Sequence, residues 1–392
     1  MPPDATLLVV DDNEDNRYTL TQRLKRLGYS NVATAVNGRE ALARLRETPH
    51  DLMLLDVMMP EMNGYQVLEH LQADERLRQL PVIMISANDQ VESVIRCIEL
   101  GAEDYLPKPF NPTLLRARVS ASLEKKRLRD EVRASLNRLE RELDAARSLQ
   151  LGMLPRKFPE WSAQKPVRVH ALMEPAREVG GDLYDFFFAL EDVLCFVVAD
   201  VSGKGAPAAM FMARTRSLVR LTIELFQQLG AGISPQNIAE AVNRELCQDN
   251  HERMFVTMFL GFLDTRTGAL AYINAGHPPP HLLRAGDGIE RIEGKPVAPL
   301  GVSPRTIYET RTSLLQPGDA VFVCTDGISE AMNSNDELFG SARLDTHLSA
   351  LRNATPDAVV RTVKEQVDQF IGGAPKADDL TMLAVRWEPA AA

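Results

Sequence analysis

The chain has 392 residues, 45% of them hydrophobic and 25% charged, with a formal net charge of −10. That leaves room for two or three globular domains, and the acidic balance argues against a generic nucleic-acid or anionic-membrane surface. No apolar stretch nears the roughly 18 residues of a membrane span, and the start, "MPPDATLLVVDD", lacks the basic-then-apolar order of a secretory leader, so a cytoplasmic protein with no membrane and no nucleic-acid partner is expected.

Residues 5–120 alternate short apolar runs with amphipathic stretches. "TLLVV", "NVATAV", "DLMLLD", "PVIMISA" and "DYLPKP" read as five strands, with helices such as "NRYTLTQRLKRLG" and "GREALARLRET" between them. Strands alternating with helices imply right-handed crossovers and a parallel sheet, whose sites form at the carboxyl ends of the strands. Asp11, Asp12, Asp56 and Ser86 stand at such ends, and Lys108 follows the fifth strand.

Residues 113–153 change character and contain no Gly or Pro before Gly152. Val132, Leu136, Leu139, Leu143 and Ala146 recur at alternating spacings of four and three, a heptad-like seam with charges on the other faces. Leu128 falls off the seam by one position. One helix packed on its own neighbouring domain would carry the same pattern; the reading taken is a dimeric coiled coil between domains.

"MLPRKFPEWSAQKP" then breaks the helix with three prolines. From residue 167 to 388, "VRVHALMEP", "DLYDFFFAL", "VLCFVVADV", "FVTMFLGFLD", "ALAYINAG", "HLLRA", "DAVFVCTDG" and "TMLAVRW" read as strands. "APAAMFMARTRSLVRLTIELFQQL", "SPQNIAEAVNRELCQDN" and "TPDAVVRTVKEQVDQFI" read as helices between them, which predicts an α/β sandwich on a mixed or antiparallel sheet. Four cysteines (Cys97, Cys195, Cys247 and Cys324) have no close pair and are expected as reduced thiols.

Asp11, Asp12 and Asp56 would converge at one end of the parallel sheet. Three close carboxylates repel and need a cation, and oxygen-only ligands suit Mg²⁺. A carboxylate beside Mg²⁺ can attack phosphorus and form an acyl phosphate. Lys108 supplies a positive charge for a phosphoryl oxygen and Ser86 a hydroxyl donor. Lys108 precedes Pro109, which makes their peptide a candidate for the cis form. "VVDDNEDNR", "LLDVMMPEMNGYQVLE", "ISA" and "DYLPKPF" resemble the receiver domain of bacterial two-component response regulators over about 120 residues. The resemblance implies Asp56 as phosphoacceptor, Asp11 and Asp12 as acidic metal ligands, Ser86 and Lys108 as phosphate-sensing residues and Tyr105 as the switch aromatic. It also implies a sensor histidine kinase as partner.

Four further motifs, "VGGDLYD", "VADVSGKG", "CTDGISEA" and "KADDLTML", each place an aspartate at or near the edge of a strand. Asp200 and Asp326 end very apolar runs, where an unpaired charge is costly. A divalent cation would account for so many carboxylates, and a two-metal site activates water for in-line attack on phosphorus. Competing chemistry fits poorly. "SGKG" lacks the glycine and the Ser or Thr that a Walker loop needs at Val198 and Gly205, and Ser202 stands in no nucleophile elbow. "HPPPH" cannot place His277 and His281 on a zinc helix. His277 is read as a turn or core-edge residue rather than a catalytic proton donor.

Together with "MFVTMFLGFLD", "NAGHPPP", "PGDAVFVCTDGISEA", "DDLTML" and the upstream "LQLGMLP", these motifs resemble the PP2C-like metal-dependent phosphatases of the SpoIIE type over about 220 residues. The resemblance implies Asp200 as bridging ligand of two Mn²⁺ or Mg²⁺ ions, with the Val201 carbonyl beside it. It puts Asp326 and Asp378 on the first ion and Asp182 on the second, directly or through water. Asp379, next to Asp378, leaves that assignment open by one position. Asp185 is a ligand or a turn residue, and the turn is the reading taken. Phosphatases of this branch act on phosphoserine or phosphothreonine of anti-sigma-factor antagonists.

The fold class expected is therefore α/β: a (βα)5 doubly wound parallel-sheet receiver over residues 1–122, a helical coiled-coil linker over 123–154, and an αββα PP2C-like sandwich over 155–392. The function expected is a response regulator whose output is a protein serine/threonine phosphatase, dimeric through the linker helix and active when Asp56 is phosphorylated. The rival expectation is an adaptor of the same fold that binds a partner without catalysis. A transcription factor would need a basic recognition segment, and none is present.

Overall fold

The computed structural model describes residues 4–87, 91–158, 165–286 and 288–389, and the chain divides into two compact units, Met1–Leu139 and Glu140–Ala392. In the first unit the order is β1 (Thr6–Val10), α1 (Glu14–Arg26), β2 (Asn31–Ala35), α2 (Gly38–Glu47), β3 (Leu52–Asp56), α3 (Gly64–Ala73), β4 (Val82–Ser86), α4 (Val91–Glu99) and β5 (Asp104–Pro107), followed by α5 (Pro112–Met153). The five strands pair in parallel in the order β2-β1-β3-β4-β5, as the strand–helix alternation predicts.

Side-chain alternation along the strands builds two cores, one on each face of this sheet. Leu7, Val9, Leu52, Leu54, Ile83 and Ile85 pack with α1 and the start of α5. Leu8, Val10, Met53, Leu55, Val82 and Met84 pack with α2, α3 and Cys97 of α4. Polar side chains start the helices. Asn13 accepts from the Asp15 and Asn16 amides, and Asn63 forms a reciprocal capping box with Gln66.

Helix α5 runs unbroken for 42 residues, about 63 Å at 1.5 Å per residue. Leu115, Val119 and Leu123 near its start are buried, whereas Leu128, Val132, Leu136 and Leu139 are exposed. Gln150 near its far end and Leu154 just past it are buried again, within the second unit.

The second unit comprises β6 (Val167–Glu174), β7 (Leu183–Leu190), β8 (Val193–Val201), α6 (Ala206–Gln228), α7 (Pro235–Cys247), β9 (Val256–Asp264), β10 (Ala269–Ala275), β11 (His281–Leu283), β12 (Ile289–Arg291), β13 (Arg311–Leu314), β14 (Ala320–Cys324), α8 (Asp326–Ser329), α9 (Gly340–Ala350), α10 (Pro356–Ile371) and β15 (Leu380–Trp387). Two five-stranded sheets form, β13-β10-β9-β8-β7 and β12-β11-β14-β15-β6. All their pairings are antiparallel.

The layering follows from alternation once more. Val321 and Val323 of β14 and Leu383 and Val385 of β15 join the core that contains the other sheet together with α6 and α7. Phe322, Cys324, Met382 and Ala384 face α9 and α10. The result is the expected αββα sandwich. The eight strands and three helices read from sequence are present; β12, β13, α8 and α9 went unread. Among the described residues, no helix is long and apolar enough to cross a membrane, and the four cysteines are free thiols.

Candidate functional site

Two acidic sites emerge, one in each unit. In the first, Asp11 follows β1 and Asp56 ends β3, so the parallel register brings them to one edge. Asp11, Asp12 and Asp56 are, among the described residues, the one group of three acid, His or Cys side chains whose ligand atoms all lie within 4.8 Å of one another. Asp11 and Asp56 are buried and Asp12 is exposed. Lys108 Nζ lies 2.9 Å from Asp11 Oδ2 and 2.9 Å from Asp56 Oδ2.

Burial raises the Asp56 carboxyl above its ordinary value, and the Asp11 charge adds to that, while Lys108 works against both. For Lys108 burial pulls the other way, but the hydrogen bonds and charges of Asp11 and Asp56 outweigh it and the net shift is upward. One ammonium thus faces two carboxylates where a hard divalent cation would fit. The Lys108–Pro109 peptide is cis, and the Lys108 amide donates to the Ser86 carbonyl at 2.8 Å. Tyr105 is packed inward at 9% exposure, its hydroxyl 3.5 Å from the Ser86 carbonyl oxygen.

In the second unit, among the described residues, no three acids bring their ligand atoms within 4.8 Å of one another as those of the first site do. Asp182 lies just before β7, Asp200 is the penultimate residue of β8, Asp326 opens α8 and Asp378 precedes β15. Burial, then the charges of Asp200 and Asp379, push the Asp182 carboxyl far up. Asp200 is pushed up to about 7 by burial and then by Asp326, with a hydrogen bond from Asp182 opposing. Asp326 is raised by burial and then by Asp378. Each acid therefore feels the next along Asp182–Asp200–Asp326–Asp378. Buried acids whose charges act on one another in this way are a donor set that divalent cations would neutralise.

Asp379 has a different environment from Asp378. Its Oδ1 accepts the Ala176 amide at 2.8 Å, and its Oδ2 accepts the Gly181 amide at 2.8 Å and the Asp182 amide at 3.4 Å. Both oxygens are spent holding the 176–182 loop. A Cβ at Gly180 would stand 2.2 Å from Asp379 Oδ2, so this loop can close on the carboxylate only with glycine there. Asp378 points its Oδ2 at Lys204 Nζ, 2.8 Å away. The Val201 carbonyl lies against Gly181, 2.8 Å from where a Cβ would be.

Sequence reasoning missed several residues around this row. Thr325 Oγ1 donates to Asp182 Oδ2 at 2.8 Å and accepts the Thr381 amide at 3.2 Å, tying the acid to the β14–β15 pair. Gln150, inside the quoted "LQLGMLP", accepts the Gly180 amide through Oε1 at 3.1 Å and donates to the Gly180 carbonyl through Nε2. Glu330 is raised by burial and by the charges of Asp326 and Asp378, so it borders the row.

Asp185 is corrected: it is no turn residue. It is buried within β7 and accepts Arg220 Nε and Nη2 at 2.6 and 2.7 Å, with Arg216 Nε 3.1 Å away. An acid within an apolar strand followed by arginines four apart on a helix was the overlooked signal. His277 is buried in the turn after β10, its Nδ1 3.0 Å from Thr257 Oγ1, and Thr257 sits opposite Asp200 on β9. Burial lowers its imidazole to about 3, so it stays neutral at ordinary pH.

Residues 191–388, about half of the chain, match the family Stage II sporulation protein E (SpoIIE), and residues 7–120 match the response regulator receiver domain. Protein IcfG of Synechocystis sp. is 31% identical over 276 residues, 65% of this chain and 42% of that protein. The probable transcriptional regulator ycf27 of Cyanidium caldarium is 43% identical over 119 residues, 30% of this chain and 46% of that protein. The chain thus spans less than half the length of these two curated relatives. Among solved structures, the SiaA-PP2C domain of Pseudomonas aeruginosa is similar with a TM-score of 0.57 at 21% identity, covering 65% of this chain and 99% of that one. At that identity the likeness is one of fold.

Proposed function

Because the chain belongs to the Stage II sporulation protein E family and carries a response regulator receiver domain ahead of that match, we propose that it is a metal-dependent protein serine/threonine phosphatase switched by phosphorylation of Asp56. The observation that carries the reading is the placing of Asp182, Asp200, Asp326 and Asp378 at neighbouring element ends, with Asp182 bonded by Thr325 just before Asp326 and its amide bonded by Asp379 just after Asp378.

Asp200 would bridge two Mn²⁺ or Mg²⁺ ions with the Val201 carbonyl beside it. Asp326 and Asp378 would hold the first ion, and Asp182 would serve the second. Asp378 rather than Asp379 is the ligand in this reading, since both Asp379 oxygens hold backbone amides. Such a pair of ions supplies an activated water and charge stabilisation for in-line attack at a phosphoserine or phosphothreonine phosphorus. The protein's own part is to hold the row in place. Thr325 orients Asp182, and Asp379 and Gln150 hold the loop that carries it.

In the receiver, Asp56 would take the phosphoryl group from a sensor histidine kinase, with Mg²⁺ on Asp11, Asp12 and Asp56. The phosphoryl group brings new acceptor oxygens to Lys108 and Ser86, and Tyr105 behind Ser86 would read the change. Helix α5 leads from the last receiver strand to Gln150, so its dimerisation through Val132, Leu136 and Leu139 would reach the Asp182 loop. The substrate proposed is a phosphorylated anti-sigma-factor antagonist of a partner-switching pathway.

The reading is tested by Mn²⁺-dependent hydrolysis of p-nitrophenyl phosphate and of a phosphoserine antagonist protein. Both activities should vanish in Asp326→Asn. Tight binding of the phosphoprotein with no hydrolysis by the wild type would overturn the enzyme in favour of the adaptor.

A further inference from the structure

The acid row ends beside a lysine to which the proposed chemistry gives no task. Lys204 stands in the loop between β8 and α6, flanked by Gly203 and Gly205 at φ +89° and +76°. Its Nζ lies 2.8 Å from Asp378 Oδ2 and donates to the Ala377 carbonyl at 2.7 Å. Its charge also pulls down the Asp326 and Glu330 carboxyls, against burial and against their acidic neighbours. One ammonium therefore pairs with Asp378 and lends its charge to Asp326 and Glu330.

A structural role explains little of this. The Lys204–Asp378 pair is 40% and 41% exposed, and exposed pairs contribute little to stability. The loop is also open, since a Cβ at either Gly203 or Gly205 would meet no atom within 4 Å. A lysine on a flexible stem is a mobile point charge with three donors. A divalent cation on Asp378 would compete for the same oxygen and repel the ammonium. The nearest new anion would then be the phosphoryl group of a bound substrate.

We infer that Lys204 is a phosphate-orienting residue that occupies Asp378 in the metal-free protein and turns to the substrate's phosphoryl oxygens once a cation takes Asp378. The inference rests on the phosphatase reading above and adds to it a specificity residue for the phosphate dianion. It also makes a readout other than turnover available, because the ammonium and the cation compete for one carboxylate.

The experiment uses the full chain with Lys204→Met and Lys204→Arg. Mn²⁺ binding to the metal-stripped protein is followed by calorimetry. Inhibition by inorganic phosphate and the KM and kcat for p-nitrophenyl phosphate are measured alongside. Lys204→Met should bind Mn²⁺ at least as tightly as wild type, since its competitor is gone. Its phosphate inhibition constant and KM should rise about tenfold, with a smaller change in kcat, by the scale of a hydrogen bond to a charged group. Lys204→Arg should recover most of the phosphate affinity. Weaker Mn²⁺ binding in Lys204→Met would mark a structural prop, and an unmoved phosphate constant would remove the contact; either overturns the inference. A wild type that neither binds Mn²⁺ nor hydrolyses the ester would sink the phosphatase reading itself, which is a separate result.

Discussion

Gln150 satisfies both backbone polar groups of Gly180: its Oε1 accepts the Gly180 amide at 3.1 Å, and its Nε2 donates to the Gly180 carbonyl. Gly180 lies two residues before Asp182, so the end of helix α5 grips the loop that aims an acid into the second site. Replacing Gln150 by Ala strands two buried groups, at about 1–3 kcal/mol each. Turnover in Gln150→Ala should fall at least tenfold while Mn²⁺ binding at Asp326 and Asp378 survives. Gln150→Glu keeps an acceptor and loses the donor, so an activity between the two is expected. Equal kcat in all three proteins would show the contact to be passive.

The neighbours Asp378 and Asp379 should behave oppositely. Asp379 holds three backbone amides, and Asn cannot accept on both sides of its head group. Asp379→Asn should lower the thermal midpoint by several degrees even without metal, since charge-assisted bonds are the stronger class. Asp378 is 41% exposed, so Asp378→Asn should leave the metal-free midpoint in place and weaken Mn²⁺ binding. A reversed pattern would exchange their roles.

Asp56 should be the residue through which a phosphodonor acts. Incorporation of phosphate from acetyl phosphate should be lost in Asp56→Asn, and with it any donor-dependent change in phosphatase rate. Equal turnover of wild type and Asp56→Asn in the presence of donor would refute the switch.

His277 predicts a loss of stability in acid. Its imidazole is lowered by burial from 6.5 to about 3. The unfolded chain therefore takes up a proton below the ordinary value while the folded one does not, so stability falls as pH drops through that window. At about 1.4 kcal/mol per unit, the loss reaches on the order of 2 kcal/mol near pH 5. Denaturant melts at about pH 7 and pH 5 should show this slope, and His277→Gln should flatten it. A slope identical in the variant would assign the acid lability elsewhere.

Dimerisation through α5 is tested on its exposed apolar seam. Val132, Leu136 and Leu139 are 60%, 55% and 52% exposed, an arrangement suited to a facing helix. Leu136→Lys should weaken self-association by tenfold or more in sedimentation equilibrium, at the cost of one apolar side chain placed beside a charge. A wild type that stays monomeric at high concentration would discard the seam.

Much of this was legible in the residues because it is local. Period-two and period-3.6 patterns place strands and helices, and an aspartate at the end of an apolar run marks itself as it did at Asp56, Asp200 and Asp326. The elements that escaped were weakly patterned: β13 reads "RTSL" with alternate residues exposed, and α9 begins at Gly340 with no side-chain cap.

What only the tertiary structure decided were the partners of each polar group. Asp378 and Asp379 are chemically identical neighbours, and only the approach of two different segments gives one of them three amides of the 176–182 loop and the other Lys204 of the loop after β8. Asp185 shares its strand with apolar residues and meets its arginines only because α6 crosses that sheet. Thr325 and Asp182 are 143 positions apart along the chain and 2.8 Å apart in space. The reason is physical. Burial and periodicity are set by a few successive residues, whereas a hydrogen bond or ion pair depends on which distant segment the topology brings within three ångströms.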